Sequence, residues 1–330
     1  AGLREVFAEG VGEGQAYTWA FDAGRPLLDP HALAVDGPER FGQTDGRDFR
    51  SLVVAPPPPI DFERPRTPLE SSVLYELHVR GYTNDPGGDV VNKGTFAGLT
   101  ERIPYLVDLG ITAVELLPTC EFDEHEVPRG EGRVNFWGYS PISWFAPNRR
   151  YAASDPITEF REMALAFHRA GIEVIVDVVH NHTGELGRDG PTRHFRALAP
   201  SIYYLSDEEG APFKDLTGCG NTIKANHPVV SELILASLRW WVHGLGVDGF
   251  RFDLASILAR DEEGEILEAP PLVRAIEADP WLRDVHLISE PWDAGGGYLV
   301  DRWSGGERWA IWNDRFRDDV RGAWLREPSC

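Results

Sequence analysis

Three acidic residues stand where strand-like runs end. Asp177 follows Ile175-Val176, Asp253 follows Phe250-Arg251-Phe252, and Glu290 follows Ile288-Ser289. A fourth, Glu115, lies inside the run 111–117. Carboxyls brought together shift one another's pKa values, which separates an acid from a base. A retaining glycosidase uses such a pair about 5 Å apart, one as nucleophile and one as acid/base. Asp is also a favoured helix N-cap, the ordinary reading for any one of these residues. Three of them, set in Asp177-Val-Val-His-Asn-His182, Gly249-Phe-Arg-Phe-Asp253 and Ser289-Glu-Pro-Trp-Asp293, exceed what capping explains. Arg251 lies two residues before Asp253 and so points to the same side of an extended strand. A guanidinium there holds Asp253 ionised. His180 and His182 form a His-x-His, open to two readings: a metal pair beside Asp177, or, for His182, a partner for a sugar hydroxyl. Phe136-Trp-Gly-Tyr139 reads as a loop anchored by aromatics or as a ring surface for an apolar sugar face.

These residues need elements that bring them together. From residue 73 onward, strand and helix patterns alternate. Strands are expected at 73–79, 111–117, 172–179, 247–252 and 285–289, with a weaker one at 309–312. Helices are expected at 95–109, 155–169, 228–243, 271–279 and 313–325, the first three stopped by Gly110, Gly171 and Gly246. Near-continuous apolar strands between helices mark a parallel sheet buried on both faces. A (β/α)8 barrel and an open doubly wound sheet both fit. No G-x-G-x-x-G follows a strand, there is no phosphate-loop motif, and Gly295-Gly-Gly297 opens no helix, so the nucleotide-binding version is unsupported. In a barrel, Asp177, Asp253 and Glu290 meet at the face formed by the C-terminal strand ends. Residues 1–66 differ: short apolar stretches such as Tyr17-Thr-Trp-Ala-Phe21 alternate with Gly, Asp and Pro, and Pro56-Pro-Pro-Pro59 reads as a stiff spacer. The expected domains are a β-rich segment over 1–66 and an α/β unit over 67–330.

Composition narrows the partners. The 330 residues carry 32 Lys and Arg against 53 Asp and Glu, a formal charge of −21 and a pI near 4.8. That disfavours nucleic acid and anionic membranes and suits a neutral ligand. Eleven Trp, 9 Tyr and 16 Phe supply a large core and ring surfaces for flat apolar ligand faces. Cys120, Cys219 and Cys330 are too few and too scattered for a disulfide framework or a zinc cluster, which points to a reducing, cytoplasmic compartment. No apolar run of about 18 residues and no signal peptide at Ala1 is visible.

Asp177-Val-Val-His-Asn-His182, Gly249-Phe-Arg-Phe-Asp253 and Glu290-Pro-Trp-Asp293 resemble three of the four signature regions of the α-amylase superfamily, in order. Phe136-Trp-Gly-Tyr-Ser-Pro141, Thr217-Gly-Cys-Gly-Asn-Thr222, Asp253-Leu-Ala-Ser256 and Trp312-Asn-Asp-Arg-Phe-Arg317 resemble its debranching branch, isoamylase and the bacterial glycogen debranching enzyme. The resemblance covers essentially the whole chain. It implies a (β/α)8 barrel preceded by part of a β-sandwich glycan-binding module. It implies retaining hydrolysis of α-glucans, with α-1,6 branch points of glycogen or amylopectin as target. By position it makes Asp253 the nucleophile, Glu290 the acid/base and Arg251 the residue that orients the nucleophile. His182 contacts the sugar, Asp177 and Asn181 shape the site floor, and Tyr139 stacks on the same sugar. No cofactor is implied, and a structural calcium stays open.

The fourth region, a His-Asp pair after a seventh strand, has no match, because no His-Asp dipeptide occurs in the sequence. With six strand patterns, the expectation is an incomplete barrel of about six βα units, weakly active or inactive alone. Its open edges then invite a second copy or a complementing chain. Three other readings stay open: a non-catalytic glucan-binding scaffold, a metal-dependent barrel hydrolase using His180, His182 and Asp177, and a transglycosylase on the same carboxylates.

Overall fold

The computed structural model describes residues 6–21, 24–42, 48–55, 57–60, 64–124, 134–207, 211 and 213–325. Ala1, Pro56 and Cys330, which entered the readings above, lie outside the described residues.

Two sheets occur among the described residues. Strands β1 (Ala16–Tyr17), β2 (Val35–Asp36) and β3 (Arg50–Leu52) form an antiparallel sheet in the order β1-β3-β2. Strands β4 (Leu74–Leu77), β5 (Ala113–Leu116), β6 (Glu173–Val178), β7 (Gly249–Phe252), β8 (His286–Ser289) and β9 (Trp309–Ile311) form a parallel sheet in sequence order. This is the expected α/β architecture, with six strands of a (β/α)-barrel curled around one face.

Strand alternation sorts the side chains. Val114, Leu116, Val174, Val176, Val178, Phe250, Phe252 and Leu287 point outward and join the main core under the helices. On the inner face Ala113, Ile175 and Ile288 form a separate small cluster with Leu74, Ala310 and Trp312. Glu115, Asp177 and Arg251 share that inner parity, one layer nearer the C-terminal strand ends. The apolar outer set makes the strands legible as buried, and the polar inner set is what the barrel encloses.

The helices follow from local chemistry. Helix Pro156–Arg169 is capped by Asp155, whose side chain accepts from the Thr158 N–H at 2.8 Å, and Pro156 takes the first turn. It buries Ile157, Phe160, Met163, Ala164 and Phe167 on one face. Ile157, Phe160, Met163 and Phe167 each contribute about 1.5–3 kcal/mol of burial. Gly110, at φ +81°, ends helix Ile103–Leu109 in the left-handed conformation and turns the chain into β5. The single helix expected over 95–109 is instead two, Phe96–Thr100 and Ile103–Leu109. Pro104 has no N–H to give the Thr100 carbonyl, so the helix restarts there.

The amino-terminal segment is fastened to the barrel. Leu28, Val35 and Phe49 pack with Ile142 and Ala146, and the Leu28 N–H donates to the Arg193 carbonyl at 2.9 Å. The expected Pro-rich spacer lies against the barrel helices: Arg161 Nη2 donates to the Pro58 carbonyl at 2.7 Å. Arg64 then bonds Asp248 at 2.8 Å and the Val242 carbonyl at 2.7 Å. Because Ile142 is only three residues past Tyr139, this sheet braces the loop that carries Tyr139.

Candidate active site

The three strand-end carboxylates converge on one cation. Arg251 Nη1 lies 3.0 and 3.1 Å from the two Asp177 oxygens and 2.9 Å from Asp253 Oδ1, while Nη2 lies 2.9 Å from Glu290 Oε1. Asp177, Arg251 and Asp253 are 3, 8 and 8 % exposed, so these contacts act with little solvent screening. Parallel register produces the meeting: Asp177 pairs with Arg251 across β6 and β7. Phe252 pairs with Ser289 across β7 and β8, which sets Asp253 beside Glu290.

The loop after β6 completes the floor. Asn181 Nδ2 donates to both the Asp253 carbonyl and Asp253 Oδ2, each at 2.8 Å, and Asn181 Oδ1 meets His182 Nδ1. His182 Nε2 lies 2.9 Å from the Tyr139 carbonyl, and the Tyr139 hydroxyl donates to Asp177 Oδ2 at 2.6 Å. The turn at Thr217–Thr222 holds this loop, since Asn221 Oδ1 accepts from the Thr183 N–H at 3.0 Å. The aromatic loop is anchored by His78, which accepts from the Gly81 N–H at 2.9 Å and stacks on Phe136 with centroids 4.2 Å apart. Trp137 in that loop is 57 % exposed.

All seven residues singled out in the sequence, Asp177, Asn181, His182, Arg251, Asp253, Glu290 and Tyr139, thus join one hydrogen-bonded cluster. His180 does not. It sits between Ser237, 3.1 Å from its Nε2, and Trp144, whose ring meets it edge-on, and burial pushes its pKa down to about 3. The two histidines therefore do not converge, and no group of three metal-ligating side chains occurs among the described residues. Sequence reasoning missed Leu254, whose N–H donates to Glu290 Oε2 at 2.9 Å. It also left Asp293 without a role.

Electrostatics divides the acids. Burial raises the Glu290 pKa, Arg251 opposes this, and the Asp253 charge adds to it. Burial likewise pushes Asp177 up to about 7 despite Arg251, and Glu115 up to about 8, with Asp177 adding to the Glu115 shift. Glu115 is 1 % exposed, and its Oε2 has no hydrogen-bond partner among the described residues. A carboxyl whose folded pKa lies above its unfolded value binds more protons folded than unfolded, so ionising it weakens the fold as pH rises between the two values. Glu115→Gln removes that penalty. The expected result is a gain of ~3 kcal/mol at pH 7 that vanishes near pH 4, read from urea melts of both proteins. An equal difference at both pH values would show that Glu115 is not the titrating group.

A (β/α)-barrel with a cation-bridged carboxylate cluster at its C-terminal strand ends places these groups on the face where barrel enzymes carry their active sites. Comparison gives the family. The family model "Alpha amylase, catalytic domain" matches residues 37–188. Isoamylase 3, chloroplastic, of Oryza sativa is 44 % identical over 94 % of this chain and 42 % of its own length. The glycogen operon protein GlgX homolog of Mycobacterium tuberculosis is 39 % identical over 93 % of this chain and 46 % of its own. A glycogen debranching enzyme of Salmonella paratyphi B is 40 % identical over 92 % and 49 %. Among solved structures, pullulanase from Paenibacillus barengoltzii in complex with maltohexaose and alpha-cyclodextrin superposes with TM-score 0.68 at 26 % identity, covering 89 % of this chain and 47 % of that one. Pullulanase from Anoxybacillus complexed with maltotetraose gives 0.67 at 30 % identity, covering 90 % and 44 %. The chain belongs to the α-amylase family, among the isoamylase and glycogen-debranching relatives. It spans less than half the length of each of these curated relatives.

Proposed function

We propose that the chain carries the site of a retaining glycoside hydrolase acting on α-glucans, directed at α-1,6 branch points of glycogen or amylopectin. The observation that carries this is the single Arg251 guanidinium bonded to Asp253 through one nitrogen and to Glu290 through the other. Sharing one guanidinium keeps the two carboxyls close together, as a retaining pair requires. Asp253, held by Arg251 and Asn181, attacks the anomeric carbon. Glu290, whose pKa burial raises, gives its proton to the departing glycosidic oxygen. The carbon–oxygen bond breaks and a glycosyl ester forms on Asp253. Glu290, now a carboxylate bonded by Arg251 and the Leu254 N–H, takes a proton from water. That water attacks the anomeric carbon and frees Asp253. His182 and Tyr139 line the same floor and meet the bound sugar, with Asp177 fixing the Tyr139 hydroxyl and Arg251 together.

The isoamylase and debranching relatives support branch-point cleavage over hydrolysis of linear chains. The expected result is faster release of reducing ends from amylopectin than from linear amylose. Equal rates would sink the branch-point assignment, and glucan binding without any hydrolysis would favour the scaffold reading. No His-Asp dipeptide occurs among the 330 residues, so the third carboxylate of the family is not supplied by them. We infer slow turnover by these residues alone, since losing one transition-state partner costs roughly 10²–10³ in rate.

The sheet edges bear on partners. Val73 beside β4, and Tyr105 and Leu109 on helix Ile103–Leu109, are exposed. So are Phe316, Val320 and Trp324, one face of helix Asp314–Leu325 after β9. These apolar faces suit cover by further polypeptide, from a second copy or a complementing chain. Among the described residues no helix is long and apolar enough to cross a membrane. Three scattered cysteines in 330 residues suit a reducing, cytoplasmic setting.

A further inference from the structure

We propose that Asp293 is a positioning residue for Glu290, acting with Ser256 and Arg260 to hold the left-handed turn at Leu254 that aims a backbone N–H at the Glu290 carboxyl. This rests on the reading above, in which Glu290 is the acid/base.

Leu254 directly follows Asp253 and has φ +40° and ψ +49°. A leucine there is strained, because its Cβ crowds the backbone, and such a conformation persists only where its surroundings impose it. The reward is local. With this turn the Leu254 N–H reaches Glu290 Oε2 at 2.9 Å, and the Ala255 N–H reaches the Glu290 carbonyl at 2.8 Å. The loop after β7 thereby grips both the side chain and the backbone of the acid/base.

The surroundings that impose the turn centre on Asp293, three residues past Glu290. Its side chain is 0 % exposed. It accepts from Ser256 Oγ at 2.7 Å, from Arg260 Nε at 3.0 Å, from Arg260 Nη2 at 2.9 Å and from the Gly297 N–H at 2.9 Å. Ser256 and Arg260 bracket the 3-10 turn Ala255–Ala259 that Leu254 opens. One buried carboxylate therefore ties the loop after β7 to the loop after β8, the two loops that carry Asp253 and Glu290. Arg260 is occupied by it from two nitrogens and also donates to the Gly264 carbonyl at 2.5 Å. Every oxygen of Asp293 is spent on protein donors, so its part is to place other groups.

A misplaced acid/base leaves a distinctive kinetic trace. A glucan leaving group needs the Glu290 proton. Fluoride leaves as the anion and needs none, so the ester on Asp253 still forms from an α-maltosyl fluoride. Breakdown of that ester normally needs Glu290 to take a proton from water. Azide is already an anion, attacks the anomeric carbon without a base, and gives the α-glycosyl azide.

The test compares the 330-residue wild type, Glu290→Gln, Asp293→Asn and Ser256→Ala on amylopectin and on α-maltosyl fluoride, with and without azide. For Asp293→Asn the expected loss on amylopectin is about 10²-fold, the scale of a displaced catalytic group. Fluoride release in the first turnover stays within a few-fold, and azide accelerates steady turnover and yields α-glycosyl azide. Ser256→Ala gives the same pattern at smaller amplitude, and keeps the proposal testable should Asp293→Asn not fold. An equal loss on both substrates, or no response to azide, would overturn the positioning role while Glu290→Gln still shows the acid/base pattern. If Glu290→Gln itself hydrolyses amylopectin normally, or wild type acts on neither substrate, the underlying reading fails instead and the role of Asp293 falls with it.

Discussion

Asp253→Asn lowers amylopectin hydrolysis by at least about 10³-fold while glucan affinity stays within a few-fold, the scale of losing a covalent nucleophile. The substitution keeps size and shape and removes the charge and the attacking electron pair. Much of the site floor survives it. Asn181 Nδ2 is also held by the Asp253 backbone carbonyl at 2.8 Å, and Arg251 keeps both Asp177 and Glu290. An amide can still offer its oxygen to Arg251 Nη1, but its NH2 then faces the Asn181 donor. A modest reorientation is expected there, too small to close the sugar site. Initial rates of reducing-end release and calorimetric binding of maltohexaose to both proteins give the two readouts. Activity retained within tenfold would place the nucleophile elsewhere. Loss of affinity alongside activity would make Asp253 a structural acid whose charge the floor needs.

The order of strand and helix was legible because each barrel strand shows an apolar outer set and three of the expected helices are followed by a glycine. The strand expected at 172–179 spans Glu173–Val178. The strand-end position of Asp177, Asp253 and Glu290 was equally plain, and the barrel face supplied their meeting. What escaped the sequence depends on conformation or on distant contacts. Leu254 carries no mark of a positive φ, since leucine is not a residue chosen for that region. Asp293 looks like one more loop acid until Arg260, 33 positions away, is seen to turn back onto it. Glu115 was visible inside its strand, but its elevated pKa arises from burial with Asp177 and Glu76 as neighbours, on strands whose register is not written locally. In residues 6–55 the described strands are only two or three residues long, in a segment whose Gly, Asp and Pro favour turns over extended pairing. Their packing on Ile142 is nonlocal and had no sequence sign.

Arg251→Met is expected to cost about 3–5 kcal/mol of stability at pH 8, the scale of stranding buried charges by removing their partner. The geometry sets that scale. Asp177, Asp253 and Glu290 all bond this guanidinium at 2.9–3.1 Å, and these carboxylates in turn hold the Arg251 pKa above its ordinary value against the effect of burial. Methionine keeps much of the stem volume and leaves the carboxyls with no cation. The dependence on pH has a definite sign. Arg251 lowers the pKa values of Asp177, Glu290 and Glu115, so its removal raises all three in the folded state and leaves the unfolded values near 4. Between those limits the folded variant holds more protons than the unfolded one, so its stability falls as pH rises. Wild type has a smaller gap and falls less. The difference between the two proteins should therefore widen from pH 5 to pH 8 in parallel urea melts. A difference independent of pH would mean that Arg251 stabilises by packing alone. Arg251→Lys separates charge from shape: an ammonium restores one cation but cannot bond Asp177, Asp253 and Glu290 from a planar fork. It should recover part of the stability at pH 8 and little of the hydrolysis, because the spacing of Asp253 and Glu290 is set by the two guanidinium nitrogens rather than by net charge.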